Sequence, residues 1–108
     1  MEQTIGSTDL KPITIFVDSE LRILVPRFIE GWKSQVQEMR TALEMNDLES
    51  IGRLGHNMRG IGKACGFDFI SSLGHELEKA AGDMCTDKVR QGLCQLTSYL
   101  ECVEVVYI

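Results

Sequence analysis

Leu48-Glu49-Ser50-Ile51-Gly52-Arg53-Leu54-Gly55-His56-Asn57-Met58-Arg59-Gly60-Ile61-Gly62-Lys63-Ala64-Cys65 is the stretch that decides the fold. At about 100° per residue, Leu48, Ile51, Leu54, Gly55, Met58, Ile61, Gly62 and Cys65 fall on one side of a helix. The spacing therefore predicts an amphipathic helix from about Asp47 to Cys65. Asn46 is its expected cap, with Glu49 reaching back, and Gly66 is the residue type favoured just past a helix end. On this wheel His56 projects roughly 150° from the centre of the apolar stripe, so it faces solvent rather than the core.

The residues around His56 on that face are unusual. Gly52 lies one turn before it and Gly60 one turn after. Glycine costs up to ~1 kcal/mol relative to alanine in a helix, so two of them beside an exposed histidine call for a reason. Without side chains at these positions the imidazole is open to a bulky partner surface. Gly55 and Gly62 are different, since they lie on the inner side and suit close helix packing. Arg53, Arg59 and Lys63 stand at −3, +3 and +7 from His56 and border the same face. They form a local positive patch suited to a phosphoryl group. Nothing nearby supplies a nucleophile for a general-base histidine. An exposed imidazole ringed by cations fits a phosphoryl carrier, whose ring nitrogen is itself the nucleophile.

Outward from this helix the same periodicity recurs. Upstream, Phe28, Ile29, Trp32, Val36, Met39 and Leu43 make one stripe on a long helix ending near Met45. Pro26 either starts or kinks that helix. Asp18 is a plausible cap for a short turn from Ser19 to Val25. Downstream, a third helix from about Asp68 to Ala81 carries Ile70, Leu73, Leu77, Ala81 and Met84 inward. A fourth, capped by Thr86 or Asp87, carries Val89, Leu93, Leu96, Leu100 and Val103 inward. Pro12 to Val17 is β-branched and reads as an extended segment, and Val103 to Ile108 either finishes the last helix or pairs with it. Phe67 and Phe69 either close the core or join the surface around the histidine. The fold class is all-α: an up-and-down four-helix bundle with an extra N-terminal segment or short helix. We read residues 1–108 as one domain, with 1–17 an N-terminal extension that is loose at its start and about 18–105 the bundle.

Composition narrows the function classes. The chain has 108 residues, 44% hydrophobic and 25% charged, which suits a soluble globular protein. No apolar run approaches the roughly 20 residues needed to cross a bilayer, and the N-terminus lacks the pattern of a signal peptide. A cytoplasmic location without a membrane role is expected. A net charge of −5 argues against nucleic-acid binding. Cys65, Cys85, Cys94 and Cys102 have no CxxC spacing and read as reduced, mostly buried residues.

His56-Asn57-Met58-Arg59-Gly60 resembles the signature of histidine phosphotransfer (HPt) domains, a histidine followed by lysine three residues on and glycine four residues on. The resemblance continues through Gly66-Phe67, Leu73 and Leu77-Glu78. With Pro26-Arg27-Phe28 and the Asn46-Asp47 turn it spans roughly Val17 to Ala81. It implies a bundle of four core helices with the phosphorylated histidine exposed midway along the second. It also implies a passive carrier, not an enzyme, that exchanges the group with a response-regulator receiver domain and a sensor or hybrid histidine kinase. The receiver would supply the aspartate and Mg²⁺, so no cofactor and no metal are expected on this chain, and a monomer is the simplest state. The usual lysine is Arg59 here, which keeps the charge but changes the shape. His75 and Glu78 fall where the phosphotransfer domain of the chemotaxis kinase carries a histidine and a glutamate. By that resemblance Glu78 accepts a hydrogen bond from Nδ1–H of His56, and His75 adds a second polar contact. Two rivals remain at this point: a docking module that binds a receiver or kinase without being phosphorylated, and a metal-binding bundle built on His56, His75, Glu78 and Cys65.

Overall fold

The computed structural model describes residues 12–108. The N-terminal extension's first eleven residues therefore lie outside the described part. The order of elements is a strand β1 (Ile13–Val17), a 3-10 turn (Ser19–Leu21), four helices and a strand β2 (Val103–Tyr107). The helices are α1 (Val25–Glu44), α2 (Leu48–Cys65), α3 (Asp68–Gly82) and α4 (Thr86–Cys102). Each helix packs on the next, and α4 returns to α1, which closes the bundle.

Every helix is held by the stripe that its sequence repeats. Along α1, Val25, Trp32, Val36, Met39 and Ala42 are buried, with Phe28, Ile29 and Leu43 packed half-buried beside them. Pro26 stands in the first turn, where its missing N–H has no partner to lose, so it starts the helix rather than kinking it. Trp32 meets the buried Phe67 edge-on, with ring centroids 5.3 Å apart, so Phe67 closes the core between α2 and α3. Phe69 is exposed and packs on Tyr99 instead.

Asp18 caps the 3-10 turn, which is shorter than the Ser19 to Val25 segment expected. Three helix ends share one closing device. Asn46, Gly66 and Met84 have φ of 57°, 82° and 58°. At each, the next residue's N–H reaches back to a carbonyl five residues earlier: Asp47 to Ala42, Phe67 to Gly62 and Cys85 to Ala80. This corrects three expectations. Asn46 ends α1 and does not cap α2; Asp47 does that, accepting from the N–H of Ser50 at 3.2 Å and its hydroxyl at 2.6 Å. Those two bonds hold the Asp47 carboxyl below its ordinary pKa, with a smaller contribution from Arg53. Met84 does not continue the inner stripe of α3, because the left-handed turn throws its side chain into solvent. Neither Thr86 nor Asp87 caps α4; the cap position is Cys85, with no side-chain bond.

The tail does not extend α4 beyond Cys102. β2 lies parallel to β1, with Ile13 opposite Val103 and Val17 opposite Tyr107. Alternation turns Ile15, Val17, Val103, Val105 and Tyr107 toward the bundle and leaves Phe16 and Val106 outside. Among the cysteines only Cys65 is buried; Cys85 and Cys102 are half-buried and Cys94 is exposed, all with free thiols.

Tyr99 is buried, yet its hydroxyl has no hydrogen-bond partner. Burial, and secondarily the negative Asp68, push its pKa up to about 12. An unfolded tyrosine ionises near 10, so the unfolded state loses this proton first. The stability that protonated Tyr99 contributes is complete below pH 10 and disappears as pH rises toward 12. Replacing Tyr99 by phenylalanine removes the orphaned hydroxyl, so the Tyr99→Phe protein should equal or exceed wild-type stability by up to ~1 kcal/mol at neutral pH. Urea melts at pH 7 and pH 11 check this. A variant markedly less stable at neutral pH would mean that the hydroxyl is paired.

Candidate functional site

The site begins with glycines, because they set how close α2 and α3 can come. A Cβ on Gly55 would stand 2.8 Å from the Gly74 carbonyl oxygen, and one on Gly74 would stand 2.6 Å from the Gly55 oxygen and 2.7 Å from the Arg59 nitrogen. Two turns along, a Cβ on Gly62 would meet Ile70 and the Ser71 nitrogen at 2.9 Å. The two backbones thus touch directly. The inner-side assignment of Gly55 and Gly62 holds, and Gly74 is the partner that the sequence reading missed.

This contact brings Glu78 of α3 under His56 of α2. His56 Nδ1 lies 3.1 Å from Glu78 Oε2. The imidazole side chain is 65% exposed and Glu78 36%. An ionised carboxylate can only accept, so the bond puts a hydrogen on Nδ1 and leaves the Nε2 lone pair free. The other carboxylate oxygen, Oε1, is buried with no hydrogen bond, and Arg59 Nη1 stands 3.7 Å away. Three residues predicted from sequence therefore meet as one unit.

The other predicted residues are placed less centrally. Arg53 is exposed on the N-terminal side of His56, at the rim of a shallow depression lined by Leu48, Gly52, Glu78, Ala81 and Met84. Gly52 is half-buried, and a Cβ there would touch Ala81 at an ordinary 3.7 Å. It also lines the depression beside His56, so it borders both the seam and the open face. Lys63 is exposed in the last turn of α2, about 10 Å along the axis from His56. His75 is exposed one turn before Glu78 and makes no hydrogen bond or ion pair among the described residues. The second polar contact expected of it is absent there. No group of three or more potential metal-binding side chains clusters among the described residues, and no helix among them is long and apolar enough to cross a membrane.

Gly60 is open, with nothing within 4 Å of an added Cβ. Gly60→Ala should therefore raise stability by up to ~1 kcal/mol through helix propensity alone. It should at the same time slow exchange with any partner that docks over His56, because a methyl group then stands one turn away. Thermal melts and a transfer assay on the same preparation separate the two effects. A variant that is more stable and equally fast would show that no partner surface approaches Gly60.

Residues 24–104 match the Hpt domain family, three quarters of the chain. The protein belongs to that family. No curated protein and no solved structure gives a significant match.

Proposed function

We propose that this protein is a phosphorelay carrier that holds a phosphoryl group on His56 Nε2 and exchanges it with a receiver-domain aspartate. The observation that carries this reading is the His56–Glu78 bond on an exposed helix face, inside the region that matches the family. Glu78 fixes the tautomer in which Nε2 is the nucleophile and points outward. In transfer from an acyl phosphate, the Nε2–P bond forms as the P–O bond to the aspartate carboxyl breaks. The aspartate leaves as carboxylate, no proton moves, and the ring becomes a phosphoimidazolium whose positive charge is offset by Glu78. Return of the group reverses the same steps.

The chain contributes position and charge, and the partner contributes the rest, including the Mg²⁺ bound to its receiver acids. Arg59, with Arg53 and Lys63 at longer range, offsets the phosphoryl charge, while Gly60 keeps the approach clear. On this reading the protein is not an enzyme in its own right and binds no cofactor. It works in the cytoplasm as a monomer between a sensor or hybrid kinase and a receiver.

The test is incubation of the purified protein with radiolabelled phospho-donors, both kinases and charged receivers. Acid-labile, alkali-stable label is the expected result. Receivers that bind the protein while no donor in a broad panel labels it would overturn the carrier reading in favour of a docking module.

A further inference from the structure

Arg59 and His56 share one carboxylate, and they hold it differently. His56 takes Oε2 in a hydrogen bond of 3.1 Å, whereas Arg59 stands 3.7 Å from Oε1, beyond hydrogen-bond reach, and Oε1 has no other partner. The Arg59 side chain is 49% exposed, so water screens the pair. The guanidinium is tethered weakly to a buried oxygen that lacks a bond. It is also one turn from His56 on the same helix, within the range at which i and i+3 side chains meet.

We propose that Arg59 changes partner when His56 is phosphorylated, leaving Glu78 for the phosphoryl oxygens on Nε2. This deepens the carrier reading and rests on it. A phosphoryl group brings up to two negative charges and three strong acceptors within reach of a planar fork that can bind two of them at once. Glu78 offers one charge and, through Oε1, a single oxygen at poor geometry. As the ring becomes cationic, Glu78 Oε2 is retained by Nδ1–H more firmly than before, so His56 keeps its contact while Arg59 exchanges its own. The cross-link from α2 to α3 then passes from two residues to one. A partner docking on this face meets a guanidinium paired inward before phosphorylation and outward after it, a difference in charge pattern by which it distinguishes the two states.

The test uses the whole protein with ¹⁵N-labelled arginine and phosphoramidate as donor. The N–P bond of that reagent breaks, ammonia leaves, and Nε2–P forms. The Arg59 Nε–H signal is assigned by its loss in Arg59→Lys. Before the donor is added, the signal should differ between wild type and Glu78→Gln, because the pair exists only in the former. After phosphorylation the two should converge on one new position, while the signal in His56→Gln stays where it began. Mass spectrometry reports phosphoryl on His56 independently. If His56 is phosphorylated and the wild-type signal does not move, or still differs from that of Glu78→Gln, the partner exchange is overturned and the carrier reading survives. Where phosphoramidate leaves His56 unmodified, the kinases and charged receivers of the panel above serve as donors, and if none of them places a phosphoryl group on His56, both fall.

Discussion

His56→Gln takes up no phosphoryl group from any donor that labels the wild-type protein, and its stability is unchanged within ~0.5 kcal/mol. The first half follows from chemistry: a carboxamide has no nucleophilic nitrogen lone pair, and no other histidine shares the environment of this one. His75, the second histidine in the sequence, lacks the carboxylate bond that exposes an Nε2 lone pair. The second half follows from position. The His56 side chain is 65% exposed and is held by a single hydrogen bond, so its removal opens no cavity. Label on the variant with the same acid lability would move the acceptor to another residue. Loss of label accompanied by a large drop in stability would make the result uninformative about chemistry, which is why both must be measured on one preparation.

Gly74→Ala should lower stability by about 2 kcal/mol, or the melting temperature by roughly 10 °C for a domain of this size. The added methyl would meet Gly55 oxygen at 2.6 Å and Arg59 nitrogen at 2.7 Å. Both are backbone atoms on a neighbouring helix, so no side chain can rotate away. The only relief is separation of α2 from α3, which outweighs the ~1 kcal/mol that alanine gains in helix propensity. Separation must also lengthen the 3.1 Å bond between His56 and Glu78, so transfer should slow in parallel. The same substitution at Gly60 has the opposite sign for stability, which makes the pair a controlled comparison. A Gly74→Ala protein as stable as wild type would mean that the helices can part at little cost and that their close contact does not set the site.

Much of this was legible in the sequence because local pattern and tertiary need agree. The stripes on all four helices, the stop at Gly66 and the outward direction of His56 are consequences of helical period. The errors have equally local causes. Asn46 and Asp47 are both good caps, and only the left-handed turn that closes α1 decides between them. Met84 sits at the right spacing for the inner stripe but lies beyond the end of the helix that would have aimed it. Gly74 reads as an ordinary helix-weakening glycine until Gly55 is placed against it, and nothing short of the fold does that. The pairing of Glu78 with His56 came from family resemblance, since a contact between residues on different helices leaves no periodicity.

The parallel pairing of β1 with β2 has a kinetic consequence. Ile13 and Val103 are 90 positions apart, whereas the helices meet their neighbours across short turns. Bundle contacts between consecutive helices can accumulate locally, but the two strands can register only when nearly the whole chain is already in place. The sheet is therefore a late clasp, formed last on folding and released first on unfolding. Its amides should exchange with solvent well before those of Leu54 or Met58 in the second helix. Opening the clasp leaves the histidine helix and its glycine seam intact, so the two strands can come apart without disturbing the face around His56.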